Sequence, residues 1–62
     1  MKFVKIEEVA VKVGLSRSSI YSFVGKGTFP KQVRISAGSV GWIDSEVEEW
    51  MALRIAERDT AN

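Results

Sequence analysis

A chain of 62 residues, 45% of them apolar, can build one small domain spanning residues 1–62, and without cysteine or histidine it has neither disulfides nor the usual zinc ligand sets. A core of this size is marginal, so stability must come from close packing or from a partner. No signal-peptide pattern or bilayer-length apolar run occurs, and a soluble, cytoplasmic protein is expected. The net charge of +1 hides a division: residues 1–34 hold seven basic against two acidic side chains, a net of +5, and residues 35–62 hold two against six, a net of −4. A basic half suits phosphate neutralisation and an acidic half would then face away from the duplex, although mixed charge also serves plain solubility.

In chain order, Phe3 and Val4 form a short extended lead-in, and Ile6, Val9, Ala10 and Val13 then recur at amphipathic-helix spacing. Lys5 is a poor cap for this first helix, while Glu7 and Glu8 suit the positive end of its dipole. Gly14-Leu15 ends it with a tight turn, and Ser16 is placed to cap a second helix running from about Arg17 to Lys26, closed by Gly27. Arg17, Ser18, Tyr21 and Ser22 fall on the outward face of this helix, whereas Ile20, Phe23 and Val24 point to the core. This is the pattern of a DNA-recognition helix.

After Phe29-Pro30 the period changes to two. Val33 and Ile35, then Val40 and Trp42, predict a β-hairpin with a four-residue tip, Ser36 to Ser39. Ser45 and Glu48 fit a capping box for a third helix with an apolar stripe of Val47, Trp50, Met51 and, at its edge, Leu53. Fraying is expected from Asp59 onward, leaving an ordered core of about residues 3–58. Helix, turn, helix, two-stranded hairpin, helix is the order of a small winged helix-turn-helix, α+β but mostly α, with the hairpin as wing. Trp42 and Trp50 should clamp the apolar side of the second helix.

Three segments, Gly14 to Tyr21, Gly27 to Lys31 and Val40 to Trp50, resemble in order and spacing the AlpA family of small prophage regulators, a likeness that covers Val4 to about Arg54. The family is similar in fold to excisionases and to the DNA-binding domain of MerR regulators. The resemblance implies a transcriptional switch for phage or mobile-element genes or, alternatively, an excision factor that directs an integrase. Ser22 departs from the basic residue that commonly follows the tyrosine in that family. The partners implied are double-stranded DNA, further copies of the chain arranged head to tail or as a dimer, and an integrase.

With the N-terminus of the second helix in the major groove, Arg17 is the leading reader, and its guanidinium suits a guanine edge and a phosphate equally. Ser18 and Ser22 can contact phosphate or base, Ser19 leans toward the core, and Tyr21 can pack its ring while its hydroxyl reaches a phosphate. Lys26, Lys31 and Arg34 are expected on the backbone, with Gly38 in a slim wing tip that either approaches the minor groove or is a plain turn. No nucleophile elbow, phosphate loop or metal cluster is present, and no enzyme activity, cofactor, membrane or small-molecule substrate is expected. The competing class is a protein-interaction module, with Ile55 off the third helix's stripe as a contact.

Overall fold

Gly14 and Gly27 set the geometry of the N-terminal half, because each helix there ends where the chain must turn left-handed. Both adopt positive φ, 72° and 76°, a region that costs glycine nothing and other residues strain. The computed structural model describes residues 1–60. In it β1 (Phe3–Val4) leads into α1 (Ile6–Val13) and α2 (Arg17–Lys26), then β2 (Val33–Ser36), β3 (Ser39–Ile43) and α3 (Asp44–Thr60). Ser16 caps α2 as expected, its Oγ accepting the Ser19 N–H at 3.2 Å, whereas α1 has no side-chain cap at Lys5. The α+β, mainly helical architecture of a small winged helix-turn-helix is thus present.

The sheet is three-stranded and antiparallel, in the order β1-β3-β2, so the lead-in strand joins the hairpin and β3 becomes central. Phe3 pairs with Ile43 and Val4 with Trp42, and the Asp44 N–H donates to the Lys2 carbonyl at 2.8 Å. The N-terminus therefore fastens the junction where β3 becomes α3. The hairpin tip is shorter than expected. Ser36 pairs directly with Ser39, leaving Ala37-Gly38 as the turn, and a bulge near Ile35 absorbs the extra residue. Gly41 has no side chain for a reason: a Cβ there would lie 2.7 Å from both Ile35 Cδ1 and the Val4 carbonyl oxygen.

Among the described residues six side chains are buried, Val4, Val9, Ile20, Phe29, Trp42 and Val47. They come from β1, α1, α2, the 28–32 connection, β3 and α3, so no pair of elements holds a core alone. Each such burial contributes about 1.5–3 kcal/mol. Trp42 shares the core cluster with Ile20 of α2 and Trp50 packs against that cluster, but their ring and hydrogen-bond partners lie mainly in the 28–30 loop, which they anchor. Trp42 Nε1–H donates to the Pro30 carbonyl and Trp50 Nε1–H to the Thr28 carbonyl, each at 2.7 Å. The Phe29 ring lies between them, 6.3 Å from Trp42 and 4.8 Å from Trp50.

Further expectations are set against the structure. The capping box at Ser45 and Glu48 does not form: α3 begins at Asp44, straight out of β3, and both Asp44 and Glu48 turn to Lys12 of α1 at 2.5 and 2.6 Å. Val40, assigned to the inner face by alternation, is 42% exposed, next to the pair Ser36–Ser39 that closes the hairpin; Leu53, at the edge of the α3 stripe, is 54% exposed. Asp59 and Thr60, expected to fray, are helical, since α3 continues through Thr60; the expected fraying of Ala61 and Asn62 lies outside the described residues.

Candidate nucleic-acid interface

The turn between α1 and α2 is three residues long, and Leu15 within it is half-buried, holding the two helices together. That places the outward face of α2 beside the first turn of α1. Arg17, Ser18, Tyr21 and Ser22 are all exposed along it, while Ser19 is half-buried and shares a 3.0 Å hydroxyl contact with Ser16. Ser19 therefore belongs to the cap and is turned from the exposed face of α2. Tyr21 is 44% exposed, with its ring centroid 6.2 Å from that of Trp42. Its ring packs on the wing strand and leaves the edge in solvent.

This contact relates the wing to the helix. Val40 stands two residues from Trp42 on β3 and pairs with Arg34 on β2, so Arg34, Val40 and Trp42 share the sheet face turned to Tyr21. Arg34 joins the α2 residues on one side of the molecule. Lys26 is exposed in the last turn of α2, and Gly38 sits exposed at the tip with φ 80°. Lys31 is placed differently: it lines an open groove between the 28–33 segment and α3, with Trp50, Leu53, Glu46 and Glu49. Like Ser19, it is an expected contact that the structure separates from the rest of the set, here by placing it beside the acidic helix.

The division of charge seen along the chain is also a division of pairing. Arg54 pairs with Glu57 at 2.6 Å and lies 5.3 Å from the Trp50 ring, and Arg58 pairs with Asp59 at 2.9 Å. Lys12 is held between Asp44 and Glu48, and the hydrogen bond to Asp44 above all raises its pKa beyond the ordinary 10.5. Lys26, Lys31 and Arg34 have no ion-pair partner among the described residues. Arg17 has one, Glu7, with Nη2 and Oε2 3.5 Å apart. Sequence reasoning passed over that pair, because ten residues and a turn separate its members, and a helical-spacing rule sees only neighbours three or four apart.

Among the described residues no helix is long and apolar enough to cross a membrane. The fold and the exposed polar face of α2 define a small winged helix-turn-helix protein. More particularly, the chain belongs to the family described as prophage CP4-57 regulatory protein (AlpA), whose model matches residues 2–55. It is 49% identical over 57 residues to uncharacterized protein ORF88 of Enterobacteria phage P4, covering 92% of this chain and 65% of that protein's length. It is also 32% identical over 60 residues to the DNA-binding transcriptional activator AlpA of Escherichia coli (strain K12), covering 87% of this chain and 86% of that protein. The family is one of regulators.

Proposed function

We propose that the protein reads specific double-stranded DNA sites and thereby regulates transcription of prophage or mobile-element genes. One observation carries the reading: the exposed hydrogen-bonding face of α2 and the cations Lys26 and Arg34, without an ion-pair partner among the described residues, share one side of the molecule, while the cations of α3 are neutralised within it. Phosphate contacts need cations free to exchange counterions, and base edges need forked or short donors at a helix N-terminus. Arg17, Ser18, Tyr21 and Ser22 would line the major groove, with Lys26 and Arg34 on the backbone. The relative in Escherichia coli, by its name a DNA-binding activator, supports the transcriptional role.

Selection of bound duplexes from a random library at about 0.15 M salt, where screening suppresses non-specific phosphate binding, tests the proposal. An enriched motif is the expected outcome. Inverted half-sites would favour an operator-type dimer, and direct repeats the alternative role of a head-to-tail excision factor. A folded protein that enriches nothing would overturn DNA reading.

A second reading, a docking module for a protein such as an integrase, has its own observation. The groove along α3 is lined in part by Pro30, Val33, Ile43 and Trp50, and Leu53, exposed, lines it with Glu46 and Glu49. Loss of partner assembly in a Leu53→Glu variant that still binds DNA would support it.

A further inference from the structure

Residues 1–34 contain seven cations and only two carboxylates, Glu7 and Glu8, both in the first turn of α1. Glu8 meets Lys2 at 3.3 Å. Glu7 meets Arg17, the first residue of α2, at 3.5 Å. The three-residue turn brings the opening turns of both helices together, so the fold itself sets an acidic side chain against the leading reader. Resting on the DNA-reading proposal above, we propose that Glu7 is a positioning residue, which directs the Arg17 guanidinium to a guanine edge and away from phosphate.

Both side chains are 62% exposed, and an ion pair so placed contributes little to stability. Its consequence lies in where Arg17 can go. The guanidinium is a rigid planar fork of five N–H donors. With one edge turned to the carboxylate, the opposite edge stays free for the O6 and N7 acceptors of guanine, which carry no net charge for Glu7 to repel. A phosphate on that same edge would bring a full negative charge to within a Debye length, about 8 Å, of the Glu7 carboxylate. The repulsion tilts the choice toward the base. Lys26 and Arg34 have no carboxylate held against them among the described residues, and they are left for the backbone. The two roles open to Arg17 from sequence are thereby separated by one neighbour.

The test uses the site found by selection and duplexes carrying each single base-pair change in it. The proteins are wild type, Glu7→Gln, Arg17→Ala, the double variant and Glu8→Gln, which makes the same charge change one residue on. The base pair read by Arg17 is the one whose substitution penalty disappears in Arg17→Ala. At that position, expected to be G·C, Glu7→Gln lowers the penalty by about three- to tenfold in affinity, a fraction of what a bidentate contact supplies. Penalties at the other positions stay unchanged. Binding to unrelated duplex rises, and the salt slope steepens by up to about 1 as Arg17 takes a phosphate. Glu8→Gln leaves the base profile as in wild type, and Glu7→Gln adds nothing in the Arg17→Ala background. An unchanged profile in Glu7→Gln, an equal change in Glu8→Gln, or a read position without guanine would overturn the inference while the wild-type motif still stands. Absence of any wild-type motif would overturn both this inference and the DNA reading beneath it.

Discussion

Trp42 combines two jobs that a smaller aromatic cannot. Its fully buried ring fills the space between Phe29 and Tyr21, and its Nε1–H satisfies the Pro30 carbonyl at 2.7 Å. Trp42→Phe keeps part of the ring contact but leaves that carbonyl without its donor and opens a void, so a loss of about 2 kcal/mol or more in chemical denaturation is expected. Arg17 is the opposite case: exposed, with an ion pair to an equally exposed Glu7. Arg17→Ala should shift the melting temperature little and, if the residue reads a base, weaken binding to the selected site by about 1–3 kcal/mol in a titration at fixed salt. A site that binds the variant as well as wild type would remove Arg17 from the interface. Both residues stand out in the sequence, one as an aromatic in an apolar period and the other at a helix start. Their partners, Pro30 and Glu7, do not stand out, because 12 residues separate the first pair and a turn separates the second.

At the scale of elements, the two helix ends at Gly14 and Gly27 and the cap at Ser16 were legible, since each rests on local chemistry spanning four or five residues. The beginning of α3 was not. Ser45 and Glu48 satisfy a capping pattern, yet the helix starts at Asp44 because the Lys2 carbonyl, just before β1, pins that residue and Lys12 draws the carboxylates of Asp44 and Glu48 toward α1. Tertiary contact overrides the local motif. The sheet shows the same effect: two residues of β1, too short to register as a strand, are held by β3. Close approach of β1 and β2 to β3 leaves no room at Gly41, where a methyl group would meet the rigid Val4 backbone as well as the end of Ile35. Gly41→Ala is therefore expected to destabilise by about 1–3 kcal/mol, measured by urea denaturation. A neutral result would mean that β1 moves away from β3 without cost.

For the whole molecule, the organising feature is the pairing of charge across the fold. Lys12 ties α1 to the start of α3 through Asp44 and Glu48, and its pKa is raised by those partners, chiefly by the bond to Asp44. A raised lysine pKa means that the folded state holds the proton more tightly than the unfolded chain. The contribution is then present in full below the ordinary value of 10.5 and is lost as the pH climbs through the higher folded value. The difference in melting temperature between wild type and Lys12→Met should accordingly stay level from pH 7 to about pH 10 and shrink above it. A gap that closes in the neutral range would show that another group carries the effect.

Length, charge division, the two glycine-ended helices, the strand pair and the outward face of the second helix were all determined by the sequence itself, because each depends on residue type and near spacing. Only the tertiary structure decided which side of the wing faces that helix, where the third helix begins, that Lys31 lies against the acidic helix, and that Glu7 stands beside Arg17. Those outcomes turn on contacts between segments distant in the chain, where packing and charge choose among local possibilities that periodicity leaves equal.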